Sequence, residues 1–143
     1  MAFFIVTPED AGRVQPLHKA GAPLYVFDTW LGDDLVRAHP VFLATSWLKD
    51  ALEALPHPAG FHCARVRVER SAFLQAHRPE VRLPPFWVLE VYGRAGVHPL
   101  GLAEDRSLVV SQGALSVLAE HSIPHARLSQ YRPHAADRTS GRV

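Results

Sequence analysis

The segment CARVRVE, residues 63–69, constrains the fold of this chain more than any other stretch. Ala64, Val66 and Val68 alternate with Arg65, Arg67 and Glu69. Successive side chains of a strand point to opposite faces, so the alternation describes a strand with one dry face and one wet face. That is the pattern of a mainly antiparallel or mixed sheet covered on one side.

Further strand signals follow along the chain. FFIVT, residues 3–7, is apolar and stopped by Pro8; PLYVF, residues 23–27, is rich in aromatic and β-branched residues. FWVLEVYG (86–93), the LVV run that follows Ser107, and ARLSQY (126–131) have the same character. Residues 41–55 predict an apolar entry and then a helix, with Trp47, Leu48, Ala51, Leu52 and Leu55 on one buried face. Thr45 or Ser46 can cap that helix, and Pro56 and Pro58 end it. A short helix is expected after Ser71, and another from Gln112 to His121 with Leu115 and Leu118 facing inward. DTWLGDDLVRAHP, residues 28–40, reads as a loop with a helical turn between the breakers Gly32 and Pro40, and Gly93, Gly96, Pro99 and Gly101 as a long loop. No regular strand–helix–strand cadence emerges, so the expected class is α+β, with the sheet packed against two or three helices. Residues 1–131 are expected to form a single domain, and residues 132–143 a polar, disordered tail.

Composition narrows the function. The chain has 143 residues, 48% of them apolar and 20% charged, as a globular protein does. No apolar run approaches the length of a membrane span, and MAFFIVTPED lacks the basic start of a signal peptide. A single cysteine, Cys63, permits no internal disulfide, so a cytoplasmic location is expected. A net charge of +1 gives no overall nucleic-acid footprint. The charge is uneven, with four basic and seven acidic side chains in residues 1–60 and eleven basic and seven acidic ones beyond.

Ser111 offers the sharpest catalytic reading. It follows an apolar strand and precedes Gln112-Gly113 and a helix, as a hydrolase nucleophile would. The elbow motif needs a glycine two residues before the serine, where Val109 stands, and no acid and histidine follow at usable positions. As a helix cap Ser111 needs only its hydroxyl and the N–H of Gly113 or Ala114. Nine histidines form no H-E-x-x-H or C-x-x-C frame, and Pro124 interrupts the His121/His125 pair. Arg65 and Arg67 on the wet strand face could meet an anion, though such residues more often are simply solvated. Acidic residues gather in FDTWLGDDL, with Asp28, Asp33 and Asp34 around Trp30. They fit turn chemistry, a protein-interface anchor, or acid–base work.

The second half resembles small bacterial immunity proteins of polymorphic toxin systems. The resemblance rests on the basic/apolar strand, Ser71-x-Phe73, FWVLEVYGRAGV, SLVVSQGALSVLAEHSI and ARLSQY, and covers residues 61–131, with a weaker echo in the opening strand and FLATSWLKDAL. Where that group carries an Asp-Asp or Asp-aromatic pair in its Gly-rich loop, this chain has His98-Pro99-Leu100. The resemblance implies a non-catalytic protein without cofactor or metal that binds a cognate toxin and blocks its active site. The expected partner-binding residues are Trp30, Asp33, Asp34 and Asp28, then Glu104 and Asp105. No nucleic acid or membrane partner is expected. The alternative is a small hydrolase using Ser111 or the Asp28/Asp33/Asp34 cluster. If the aspartates form a surface patch, reversing the charge of Asp33 and Asp34 should leave thermal unfolding nearly unchanged.

Overall fold

The computed structural model describes residues 2–15 and 23–132. Within them lie eleven strands in two sheets and three helices, a mixed α and β structure that is mostly sheet. In chain order the elements are β1 (Phe3–Thr7), β2 (Glu9–Gln15), β3 (Leu24–Phe27), β4 (Leu35–His39), β5 (Val41–Thr45), α1 (Ser46–Glu53), β6 (Phe61–Arg65), β7 (Arg67–Arg70), α2 (Ala72–His77), β8 (Phe86–Val91), β9 (Leu100–Leu102), β10 (Leu108–Ser111), α3 (Gln112–Ala119) and β11 (Arg127–Gln130). The smaller sheet runs β11-β1-β10-β9 and is antiparallel throughout. The larger runs β6-β8-β5-β4-β2-β3-β7 and is mixed, with β2 parallel to β4 and β3 parallel to β7.

The alternating segment of residues 63–69 shapes the larger sheet. Its two halves, β6 and β7, lie on opposite edges of that sheet, yet only Val66 separates them. In a flat sheet six inter-strand steps of about 4.8 Å would hold those edges about 29 Å apart. Two residues of extended chain reach only about 7 Å. The sheet therefore rolls up until its edges meet at Val66. The alternation itself holds, with Arg65, Arg67 and Glu69 exposed and Ala64, Val66 and Val68 half-buried.

Rolling creates two apolar cores. Inside the roll, Tyr25 and Phe27 of β3, Val36 and Ala38 of β4, Leu43 of β5, and Phe86 and Val88 of β8 pack together, with Leu74 of α2 and Val81 among them. Phe27 and Phe86 approach at 5.0 Å between ring centroids. On the outside, Phe42, Ala44, Leu89 and Phe61 meet Leu48 and Leu52 of α1, Ala114 and Leu118 of α3, and Val6, Leu108 and Val110 of the smaller sheet. β5 is buried on both faces, which is why VFLAT reads as a continuous apolar run without alternation.

Several expectations change. LVRAH is strand β4, not a loop turn, because it pairs with β2 on one side and β5 on the other. EDAGRVQ, polar and unpromising as a strand, becomes β2 because it lies between β3 and β4; its register shifts between Asp10 and Gly12. Leu100–Leu102 of the Gly-rich segment pairs with β10 as β9. Trp47 does not join the buried face of α1: it is 47% exposed, while Leu48 and Leu52 are buried. Apart from Arg132, the segment 132–143 lies outside the described residues. No helix among the described residues is long and apolar enough to cross a membrane.

Gly12 marks the tightest backbone approach in the larger sheet. A Cβ there would stand 1.8 Å from the Val26 carbonyl oxygen, and no flexible side chain can yield to relieve it. Gly12→Ala is expected to cost roughly 3 kcal/mol or more, above the usual range for overpacking. Urea denaturation monitored by circular dichroism checks this, and an unchanged midpoint would contradict the observed β2–β3 packing.

Candidate functional site

Asp33 and Asp34, the centre of the expected surface patch, lie inside the molecule, 0% and 6% exposed. Each carboxylate is engaged by donors from distant segments. Asp34 Oδ1 accepts from Trp47 Nε1 at 2.6 Å and from Thr45 Oγ1 at 3.2 Å. Its Oδ2 accepts from the Ser122 backbone N–H at 2.9 Å. The Asp34 N–H donates to the Ser122 carbonyl (2.6 Å), and its own carbonyl accepts from Thr45 N–H (2.9 Å). Asp33 Oδ2 accepts from the His125 N–H at 2.9 Å, and Oδ1 meets His125 Nδ1 at 2.6 Å. Charge at these positions is buried because it is fully partnered, the condition under which buried carboxylates persist. The premise of an exposed patch at these two residues is thus corrected, and reversing their charge is expected to strand those donors and lower stability.

These two residues tie the start of β4 to α1 and to the loop that leads from α3 to β11. What they hold in place is a surface. Trp47 is 47% exposed, Leu31 is 43% exposed, and the His125 side chain is partly exposed. Leu115, Ala119, Ile123, Pro124 and Leu128 line a mostly apolar groove of about 510 Å³, together with His121 and Ser122. Because one Asp34 carboxylate touches both Trp47 and Ser122, the indole stands beside the lip of that groove.

A third carboxylate completes the neighbourhood. Glu9 Oε1 is buried and has no hydrogen-bond partner among the described residues. Burial, and after it the charge of Asp33, holds the Glu9 carboxyl above its ordinary value. The hydrogen bond that His125 Nδ1–H donates to the Asp33 carboxylate raises the pKa of His125, with partial burial opposing. Both groups thus bind a proton more tightly in the folded protein. The contribution of His125 is complete below its ordinary pKa of about 6.5 and is lost as pH rises through the higher folded-state value; Glu9 acts in the same direction from about 4.5 upward.

The remaining expected site residues are dispersed. Trp30 is half-buried, donates from Nε1 to the Asp33 carbonyl at 2.8 Å, and meets Phe86 edge-on at 6.1 Å. Asp28 is partly exposed and paired with Arg13. Glu104 and Asp105 are exposed in the β9–β10 turn, where Asp105 accepts from Ser107 N–H at 3.0 Å. That turn lies at the opposite edge of the smaller sheet from β11. Ser111 caps α3, its Oγ accepting from Ala114 N–H at 3.1 Å. Arg65 lies over the Trp87 ring, which Lys49 also contacts. Burial pushes the Cys63 thiol up to about 12, so it stays protonated at neutral pH. Among the described residues no group of three His, Cys, Asp or Glu side chains is placed to hold a metal ion.

No protein-family model matches the chain, and no curated protein or solved structure matches it. Apart from His121, weighed as half of a histidine pair, the groove residues and Trp47 are not candidates that the sequence offers. Leu115 and Ile123 look like any core residue in sequence, and Trp47 falls within a helical apolar pattern.

Two outcomes are expected. Asp34→Ala removes one acceptor group from three donors and should cost roughly 3–5 kcal/mol in urea unfolding. The melting temperature should fall as pH is raised from about 6 to about 8, and His125→Ala should flatten that fall. A melting curve with the same pH slope in both proteins would remove His125 as the titrating group.

Proposed function

We propose that this chain is a non-catalytic binding protein, an immunity protein that neutralises a cognate bacterial toxin by covering its active site. The observation that carries the binding reading is the exposed Trp47 beside an apolar groove, both fixed from beneath by buried, fully partnered carboxylates. Tryptophan is the residue most enriched at interface hot spots, and a surface held rigid before binding loses less entropy when it docks. The groups that a hydrolase would need are engaged elsewhere: the Ser111 hydroxyl in its cap and the Asp33 and Asp34 carboxylates in the fold. The toxin as partner rests on the sequence resemblance of residues 61–131.

On this reading the contact surface is displaced from the aspartates to what they support. Trp47 forms its exposed centre, and Glu104 and Asp105 form a separate acidic turn. Co-purification with the product of the neighbouring reading frame, followed by titration calorimetry, tests the proposal. Trp47→Ala should weaken that complex by about thirtyfold or more, the loss typical of a hot spot. Ser111→Ala should leave affinity unchanged and lower stability by about 1 kcal/mol. A neighbouring product that does not bind, or a hydrolytic activity abolished by Ser111→Ala, would overturn the proposal.

A further inference from the structure

The smaller sheet ends at β11, and that edge is open among the described residues. β11 pairs with β1 in the register Ile5↔Ser129, and Tyr131 N–H donates to the Phe3 carbonyl at 2.9 Å. Antiparallel pairs alternate between bonded and non-bonded positions. Arg127, Ser129 and Tyr131 therefore spend their backbone groups on β1, while Leu128 and Gln130 turn theirs outward. All four residues of β11 are exposed, and Leu128 is 53% exposed although its neighbour in the register, Val6, is fully buried in the core. The layer between the smaller sheet and α3 is thus unfinished at this edge. Leu128, Leu115, Ala119 and Ile123 form the walls of the opening, which is the groove beside Trp47.

Charge selects what fits there. From His121 to Arg132 the chain carries no carboxylate, while Arg127 and Arg132 flank the strand. Among the described residues Arg127 and Arg132 make no ion pair, and Arg132 donates to the Gln130 side chain at 3.4 Å. A second copy of this chain would bring the same two arginines against themselves. An extended segment with acidic ends would neutralise both.

We infer that β11 accepts an extended segment of the partner protein as a fifth strand, with aliphatic side chains at alternate positions filling the groove and acidic residues at its ends meeting Arg127 and Arg132. The inference rests on the binding-protein reading and specifies how that surface is used. Backbone bonds from Leu128 and Gln130 supply affinity, and the groove reads every second side chain, as in other strand-addition complexes. Such an edge left unpaired is a hazard, which its shortness and its arginines limit.

The test uses the full chain and three synthetic ten-residue peptides: Val/Thr-alternating with glutamates at both ends, the same core with lysines at both ends, and a scrambled acidic control. Fluorescence anisotropy should show binding of the first alone, and amide exchange should slow at Leu128 and Gln130 while Ser129 is unchanged. Gln130→Pro removes an outward N–H without breaking a bond to β1, so the protein should stay folded by near-ultraviolet circular dichroism and bind at least about tenfold more weakly. Leu128→Lys should act likewise through the groove. Equal binding of the acidic and lysine peptides, binding unaffected by Gln130→Pro, or no binding of any peptide would overturn the inference, as would self-association abolished by Gln130→Pro. If the intact partner's complex tolerates Gln130→Pro but is weakened by Trp47→Ala, strand addition fails and the binding-protein reading stands. If the acidic peptide binds but no neighbouring gene product does, strand addition stands and the toxin-neutralising reading fails.

Discussion

The carboxylate of Asp34 ties the junction of β5 and α1 to the loop between α3 and β11. Its donors come from the end of β5, from α1 and from the loop between α3 and β11, and its own backbone bonds run to two of the same segments. A buried ionised group without partners would cost several kcal/mol, so the surrounding chain can keep Asp34 inside only by holding all three donors in place. Asp33 extends the arrangement to His125, four residues before the middle of β11. The smaller sheet, α1 and the rolled sheet are thereby fixed to one another by polar contacts whose geometry is far more demanding than that of the leucines around them.

The rolled sheet supplies the other constraint. One alternating segment serves as both edges, and its single-residue bend at Val66 forces curvature on the strands between. The consequence is a small interior core with aromatic rings at its centre and an outer face free to pack against helices. Only that outer face is needed to seat α1 and α3, so the segments bearing Trp47 and the groove lie on the side of the molecule away from the roll's interior. Their positions depend on the rolled sheet while contributing nothing to its filling.

Periodicity made the dry and wet faces of residues 63–69 legible, as it did the strand and capped helix around Ser111. The bend at Val66 was not legible, since alternation continues unbroken through it and only the pairing partners change. β2 was hidden for a related reason: its place is set by neighbours on both sides, which override a polar, glycine-containing sequence. The aspartates misled in the opposite way. A Gly-Asp-Asp run carries every local sign of an exposed turn, and the partners that bury it lie 11, 13, 88 and 92 residues away. No short-range pattern can report contacts of that separation. The exposure of Trp47 follows from the same fact, because its indole is turned towards Asp34 at the rim of α1 and away from the leucine face.

Buried charge and exposed apolar surface are therefore two aspects of one arrangement in this protein. Most globular chains put carboxylates outside and tryptophan inside, and a reversal at adjacent positions costs stability unless something is gained by it. Here the gain is order at a surface that hydrophobic packing alone could not hold still. An exposed indole on a short helix would sample several rotamers, and a hydrogen bond at 2.6 Å to a buried acceptor confines it. The loop carrying Ile123 and Pro124 has no regular structure, and two carboxylates pin it at Ser122 and His125 on either side. Both features flank a sheet edge with backbone groups to spare. Internal polar groups thus fix the position of external apolar ones.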